Sequence, residues 1–312
     1  MIRIEDHQIS ELLDYPALID ALATAFRTCD EPPVRQQYTI DTDGDDDAHL
    51  LLMPAWRSGQ KIGIKIASVF PGNASRDIPT VNASYLLLDA NTGVPEMIMD
   101  ATELTRRRTA AASALAARYL ARKLSTRLLM VGTGAMSTHL IRAHCANLPI
   151  ASVQVWGRRH ERASAIADQF LDEQFSVEPV TDLQAAVSSA DIISCATMAT
   201  ESLIQGDWLM PGQHLDLVGS FTPDMREADD SALRRADIYV DTRSGAMQEA
   251  GELVQGIRDG VISDRDVLGD LFELTRGTCE GRLSDAAITL FKSVGNSLED
   301  LAAAELLASR LD

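Results

Sequence analysis

The sequence predicts an α/β protein of two domains, in which an N-terminal α+β domain precedes a doubly wound parallel sheet. The first hundred residues alternate in the manner of antiparallel strands, whereas beyond residue 120 short apolar runs alternate with helical stretches. With 312 residues, of which 46% are hydrophobic and 24% charged, the chain is long enough for both domains. We expect the first domain to cover 1–120, joined by a C-terminal helix at 294–312, and the second to cover 121–293.

The N-terminal elements follow from hydrophobic periodicity. Apolar residues at helical spacing predict an amphipathic helix from Pro16 to Cys29. The segment from Lys61 to Phe70 alternates as a strand, with isoleucines on one face and Lys65 on a face of small residues that has room for a ligand. Two further apolar runs meet at residues 90–93 (Ala-Asn-Thr-Gly), which predicts a hairpin whose glycine takes a positive φ.

A long packed helix is predicted from Leu104 to Arg122, because this segment is rich in Ala and Leu and follows two capping candidates, Asp100 and Thr102. The last segment, 294–311, also has helical periodicity. Between the two helices we expect parallel strands at 128–131, 152–156, 191–196, 214–218 and 238–241.

The strand at 128–131 runs into a glycine loop, residues 132–137 (Gly-Thr-Gly-Ala-Met-Ser), and then into a predicted helix. Glycines at a strand-to-helix turn let backbone N–H groups meet a pyrophosphate, so this loop predicts a Rossmann-type dinucleotide site. Ser137 replaces the usual third glycine, and a glycine turn without a ligand is the alternative. The predicted cofactor-binding residues here and after later strands include Gly132, Gly134, Thr197, Val218 and Val294.

The choice of dinucleotide follows from charge. The second strand of this domain ends at Trp156, where an acid would bind the ribose 2′-hydroxyl of NAD(H), yet there is no Asp or Glu from Gly132 through His160. Arg158 and Arg159 instead supply donors for a 2′-phosphate. The sequence therefore favours NADPH, with NADH as the weaker alternative. The competing interpretation is that these arginines form a solvated face at a helix start.

Several cationic residues are candidates for binding a substrate carboxylate. Arg106, Arg107 and Arg108 form a run at the end of the first domain, and we expect one of the three to face a cleft, where a guanidinium is well shaped to bind a carboxylate bidentately. Lys65 and Arg35 would add charge to the same anionic site. Taken singly, each is also a residue type that is common on surfaces.

Composition excludes several classes of partner. The acids outnumber Lys plus Arg by 46 to 28, and the net charge of −18 repels nucleic acid and anionic membranes. We predict no metal site, because the four cysteines lie far apart and outside any metal-ligand spacing. The first residues contain acids where a signal peptide needs an apolar stretch, so a cytoplasmic location is expected.

Several segments together resemble the ornithine cyclodeaminase/mu-crystallin family, and the resemblance covers nearly the whole chain. Besides the glycine loop they are Leu51–Ala55, Phe70–Asn73, Arg107–Ser113 and Phe291–Gly295. The resemblance implies a homodimer built on the N-terminal strands. It also implies that Thr109 binds the cofactor phosphates together with the loop residues Thr133, Gly134, Ala135 and Met136. It also implies substrate-binding roles for Arg35, Lys65, Thr80 and Arg108, of which Lys65 and Arg108 are expected to be catalytic.

Phe221 departs from the cyclodeaminase pattern. Relatives that release ammonia have an Asp two residues after the glycine that follows the fifth strand, and here Phe221 takes that position. The stretch from Gly219 to Glu227 resembles reductases of cyclic ketimines, which implies NADPH-dependent reduction of Δ1-pyrroline-2-carboxylate to L-proline and of Δ1-piperideine-2-carboxylate to L-pipecolate, with Phe221 lining the substrate pocket. The alternatives are a cyclodeaminase or amino-acid dehydrogenase that uses another acid such as Asp224, and a non-catalytic NADPH-dependent binding protein.

Overall fold

A computed structural model describes residues 1–42, 47–76 and 78–311. The chain forms two compact units, one from Met1 to Thr109 together with the segment from Asn296 onward, and one from Ala110 to Gly295. Their boundary lies inside a long helix, whereas the sequence analysis places a domain boundary near residue 120. None of the helices in the described ranges combines the length and the apolar character that crossing a membrane requires.

The strands of the described residues make up two sheets. In chain order they are β1 (Ile2–Ile4), β2 (Gln36–Ile40), β3 (Ala48–Arg57), β4 (Lys61–Val69), β5 (Val81–Asp89), β6 (Pro95–Asp100), β7 (Arg127–Val131), β8 (Ser152–Trp156), β9 (Ser176–Val180), β10 (Ile192–Cys195), β11 (His214–Leu217), β12 (Asp237–Val240), β13 (Val267–Asp270) and β14 (Thr289–Lys292).

The α-helices of the same residues vary in length from six to twenty residues. They are α1 (Asp6–Leu12), α2 (Tyr15–Thr28), α3 (Ala101–Leu120), α4 (Ser137–Asn147), α5 (His160–Ala167), α6 (Leu183–Ser189), α7 (Asp230–Arg235), α8 (Arg243–Glu249), α9 (Gly251–Arg258), α10 (Leu271–Arg276) and α11 (Ser297–Ala308).

The first unit contains a six-stranded sheet in the order β1-β6-β5-β4-β3-β2, antiparallel except for the β1–β6 pair. The hairpin between β5 and β6 is confirmed, and Gly93 takes a φ of 71°. The helix after β6 is confirmed as α3, and Asp100 is its cap, accepting a hydrogen bond of 3.0 Å from the Thr102 N–H.

Strand β4 corrects one expectation. Gly63, Lys65 and Ala67 form its buried face, where α11 packs on β3 and β4, while Ile66 on the opposite face is 44% exposed. A Cβ on Gly63 would collide with the Tyr85 ring, so the expected room for a ligand beside this glycine is filled by protein. Alternation of residue types distinguishes the two faces of a strand, but it does not predict which of the two faces will be covered by another element.

The second unit contains an all-parallel sheet in the order β13-β12-β14-β11-β10-β7-β8-β9. The five strands predicted from 128 to 241 are confirmed, and the predicted Rossmann-type α/β class is correct. Three strands, β9, β13 and β14, were not predicted. Each is five residues or shorter, and β9 includes Glu178 and Pro179, so none contains a long apolar run.

Candidate active site

The glycine loop has a backbone that only glycine tolerates at its first position. Gly132 has a φ of 121°, and a Cβ there would lie 2.5 Å from the Ala196 carbonyl oxygen. Its N–H donates to the Trp156 carbonyl at 2.9 Å, so the loop leaves β7 in contact with both neighbouring strands. Thr133, Gly134, Ala135 and Met136 then lie at the surface or half-buried, where a ligand can reach their backbone.

Ser137 explains how the loop manages without a third glycine. This residue is fully buried at the start of α4, and its hydroxyl donates to the Gly132 carbonyl at 2.9 Å. The side chain therefore fastens the loop to the helix that follows it. An eleven-residue helix that begins at the end of a parallel strand presents unpaired N–H groups and a positive dipole end to an anion.

The two arginines after β8 lie beside this loop. Arg158 and Arg159 are exposed, and α5 begins directly after them at His160. Gly157 packs against Thr133, since a Cβ on this glycine would lie 2.5 Å from the Thr133 methyl group. The arginines are thus anchored next to the loop while their side chains extend into solvent.

The other predicted cofactor residues in this unit follow the carboxyl ends of the central strands. Thr197 comes after β10, Val218 directly follows β11 and Val294 follows β14, and all three are half-buried. The Val294 N–H donates to the buried carboxylate of Asp241 at 2.9 Å. In a doubly wound sheet, this edge is where ligands bind.

In the first unit, two of the predicted carboxylate-binding cations meet at one buried aspartate. The Lys65 ammonium lies 2.8 Å from Asp300 Oδ2, and Arg108 Nε lies 3.0 Å from Asp300 Oδ1. A second Arg108 nitrogen lies 2.6 Å from the Glu299 carboxylate. Lys65 and Arg108 are only 4% and 5% exposed, and both acids are fully buried. We call these four residues the cation cluster.

Burial and pairing act in opposite directions on the charges of this cluster. Burial lowers the pKa of Lys65 to about 8, although the negative charge of Asp300 opposes the fall. Burial disfavours the Arg108 cation as well, but Asp300 and Glu299 outweigh it and raise the pKa. The pKa of Asp300 lies below its ordinary value, because Arg108 and Lys65 overcome the effect of burial. The acids therefore hold both cations in a charged state near neutral pH.

The remaining residues predicted to bind substrate are less closely joined. Arg35, in the segment before β2, is half-buried, and its charge contributes to the lowered pKa of Lys65, so the two cations share one electrostatic environment. Thr80 is half-buried before β5 and accepts a hydrogen bond of 2.8 Å from the Phe70 N–H through its carbonyl. Arg107, next to Arg108 in sequence, bonds Glu103 and the Leu13 carbonyl instead.

Sequence reasoning did not identify Asp300 and Glu299. They occupy the first turn of α11, an otherwise Ala- and Leu-rich helix that Asn296 caps. Acids are common in first turns because they complement the helix dipole, so their position alone indicated no further role. The signal available in the sequence was a pair of adjacent acids in a segment that is otherwise rich in Ala and Leu.

The loop after β11 presents Phe221 and hides the residue before it. Phe221 is 47% exposed, whereas Ser220 is buried and donates a short hydrogen bond to Glu252. Asp224, the substitute acid considered from sequence, is exposed and accepts a hydrogen bond of 2.6 Å from the Thr222 hydroxyl. That bond lowers the pKa of Asp224, which makes it a weak proton acceptor at neutral pH.

Comparison with known proteins gives a consistent result. The sequence model of the ornithine cyclodeaminase/mu-crystallin family matches residues 2–312. A Δ1-pyrroline-2-carboxylate reductase of Paracoccus denitrificans is 41% identical over 266 residues, which are 85% of this chain and 84% of that protein. The ketimine reductase mu-crystallin of Rattus norvegicus is 31% identical over 309 residues, covering 97% of this chain and 94% of the other.

A solved structure extends the comparison to the fold. The Δ1-pyrroline-2-carboxylate reductase of Thermococcus litoralis, in complex with NADH and L-proline, superposes with a TM-score of 0.92 at 29% sequence identity. The match covers 99% of this chain and 97% of that one. The likeness therefore spans both units of the chain.

Proposed function

The chain belongs to the ornithine cyclodeaminase/mu-crystallin family, and on that premise we propose that it reduces cyclic ketimines that carry a carboxylate. The substrates would be Δ1-pyrroline-2-carboxylate and Δ1-piperideine-2-carboxylate, and the products L-proline and L-pipecolate. The observation that carries the proposal is the cation cluster. Lys65 and Arg108 share one buried carboxylate, and the charge of Arg35 also acts on Lys65, so three cations shape the electrostatic environment in which a substrate carboxylate would bind.

Substrate binding would depend on Lys65, Arg108 and Arg35. Arg108 already has two of its nitrogens committed to buried acids, so its guanidinium is fixed in place before a ligand arrives. A carboxylate bound beside it would be held without reorganisation of the protein. Because the pKa of Lys65 is about 8, its ammonium would be able to give up a proton and regain one near neutral pH.

The chemistry needs little more than this positioning. A nicotinamide dinucleotide supplies a hydride when bound, and a protonated cyclic imine accepts it at carbon to give the amine. Phe221, as an apolar residue, offers no acid for binding or expelling ammonia, and this favours reduction of a preformed imine over cyclodeamination. Relatives named as reductases of such imines support this assignment.

NADPH would be the preferred dinucleotide, with NADH used less well. The support is the exposed pair Arg158 and Arg159 beside the glycine loop, in a stretch of sequence without a single acid. The Thermococcus litoralis relative was solved with NADH, so the family fold accommodates the unphosphorylated cofactor. For this chain, we infer the preference from the two arginines and from the absence of an acid near them.

A homodimer built on the N-terminal strands is also part of the proposal. The sheet of the first unit exposes a row of large apolar side chains that a second copy could cover. They include Tyr38, Ile40 and Ile66, which lie on the same face of the sheet and are each at least 39% exposed.

The direct test is oxidation of NADPH or NADH by the purified protein with each cyclic imine, followed by absorbance at 340 nm. We expect rapid turnover with both imines, and no ammonia from L-ornithine with either oxidised cofactor. Stoichiometric ammonia from ornithine, or reduction of pyruvate plus ammonia as fast as the cyclic imine, would overturn the assignment.

A further inference from the structure

A buried carboxylate fastens together the ends of two neighbouring strands in the second unit. One oxygen of Glu227 accepts from the Thr197 N–H at 2.7 Å and from the Thr197 hydroxyl at 2.8 Å. The other accepts from the Gly219 N–H at 2.7 Å. Glu227 is fully buried. Its carboxylate is the acceptor in all three of these hydrogen bonds, which is the pattern of an ionised carboxylate. Thr197 and Gly219 follow β10 and β11 respectively.

A second buried acid supports the first. Glu252, near the start of α9, accepts from the Glu227 N–H at 2.7 Å and from the Ser220 hydroxyl. The Lys292 ammonium, at the end of β14, lies 3.6 Å from the Glu252 carboxylate. All four side chains have essentially no exposed surface. The group therefore sets one ammonium against two carboxylates inside the protein, an arrangement in which hydrogen bonds to the carboxylates offset part of the cost of burying charge.

The loop after β11 is closely packed at both of its ends. A Cβ on Gly219 would collide with the Thr197 backbone and the Glu227 carboxylate, and one on Gly251 would collide with the Met225 carbonyl. The loop is thus held between the end of β10 on one side and the start of α9 on the other. Its position depends on Glu227, the group that joins Thr197 to Gly219.

The location gives this contact a functional meaning. In the sheet, β10 lies next to β7, which leads into the glycine loop, and β11 lies next to β10. A dinucleotide that has its pyrophosphate at the glycine loop extends across the carboxyl ends of these strands. We propose that Glu227 is a positioning residue for the nicotinamide half of the cofactor, acting through Thr197 and Gly219. This inference rests on the proposed use of a nicotinamide dinucleotide.

The proposal has a consequence for pH. Burial raises the pKa of Glu227 to about 7; the Lys292 ammonium lowers it, and the Glu252 carboxylate raises it. Burial raises the pKa of the Cys195 thiol on β10, and the negative charge of Glu227 adds to the rise, so the thiol stays neutral. Below about pH 7 a protonated Glu227 can no longer accept all of its hydrogen bonds. Cofactor affinity should therefore be lost as the pH falls through this range.

Binding of NADH, followed by its fluorescence without any imine, tests the idea. NADH is chosen because it lacks the 2′-phosphate, which titrates near pH 6. The unmodified protein should bind NADH about tenfold more weakly at pH 5.5 than at pH 8.5. Glu227→Gln should bind at least about tenfold more weakly at pH 8.5, with little dependence on pH. Glu280→Gln, the same change at an exposed turn, should match the unmodified protein.

The variant Glu252→Gln tests whether the pH dependence comes from titration of Glu227 or from another group. Removing the neighbouring negative charge should lower the pKa of Glu227 and move the transition in NADH affinity to lower pH. This variant and the pH series test the role of Glu227 even if Glu227→Gln does not fold. Unchanged NADH affinity in Glu227→Gln, a flat pH series, or an unmoved transition in Glu252→Gln would overturn the proposal. Because no imine is present, failure to reduce ketimines would leave these results interpretable.

Discussion

A buried and an exposed cationic region of this molecule are built in opposite ways. In the first unit, Lys65 and Arg108 are almost fully buried, and both are paired with the carboxylate of Asp300. In the second unit, Arg158 and Arg159 are exposed, and within the described residues neither side chain forms an ion pair. A buried cation requires a fixed partner, whereas an exposed arginine costs little and can adapt to its ligand. The cation cluster is therefore preorganised, and the arginine pair is adjustable.

Removing a cation from the buried cluster should have the largest effect. Arg108→Met leaves Asp300 and Glu299 without their main partner, so the free energy of unfolding should fall by about 3–5 kcal/mol. Catalytic efficiency should fall at least about a hundredfold. Urea denaturation and steady-state kinetics with a cyclic imine measure the two effects.

Two further variants sharpen this result. Arg106→Met changes the same helix at a half-buried arginine that forms no ion pair within the described residues, and it should cost less than about 1 kcal/mol. Arg108→Lys keeps the charge but loses the planar fork, and it should still cost about tenfold in catalytic efficiency. Equal stability of Arg108→Met and Arg106→Met would show that the buried pairs do not act as described.

The next effect concerns the pH range in which the cluster binds a carboxylate. The pKa of Lys65 is about 8, so the ammonium persists below that pH and is lost above it. Asp300→Asn removes the charge that supports the ammonium and should lower this pKa further. Inhibition by pyrrole-2-carboxylate, whose charge is constant from pH 6 to pH 9, should weaken above about pH 8 in the unmodified protein and at lower pH in the variant. Identical profiles would contradict a role for Asp300.

A smaller and more selective effect is expected at the exposed arginines. Replacing both Arg158 and Arg159 by Ala should raise the KM for NADPH at least about tenfold while changing the KM for NADH less than about twofold. Thermal stability should stay the same, because neither arginine supports a buried group. Arg162→Ala, an exposed position in the same helix α5, serves as the control. Equal changes for the two cofactors would remove the basis for an NADPH preference.

The smallest effect should come from Phe221. Phe221→Asp should weaken imine reduction by several-fold, because it replaces an apolar surface with a charge that repels the substrate carboxylate. Phe221→Asn removes the same surface without the charge and should weaken it less. Neither variant should release ammonia from ornithine. A faster reductase after Phe221→Asp would show that this residue does not face the substrate.

Much of the secondary structure of this protein could be predicted from local features of the sequence. The glycine loop, the hairpin at Gly93, the helix after Asp100 and five of the parallel strands follow from periodicity and turn residues within short windows. The family resemblance rests on short segments of the same kind. Such features depend on residues that are close together in the chain, and the sequence shows these residues directly.

The tertiary structure alone decided which charges meet. Arg108 and Asp300 are 192 residues apart in the chain, and Glu227 bonds a residue 30 positions away. It also decided that the Lys65 face of β4 is the one that α11 covers, and that the unit boundary lies within α3, where the helix continues without a break. Pairings across the chain depend on how whole elements pack, and the order of residues within any one element does not encode them.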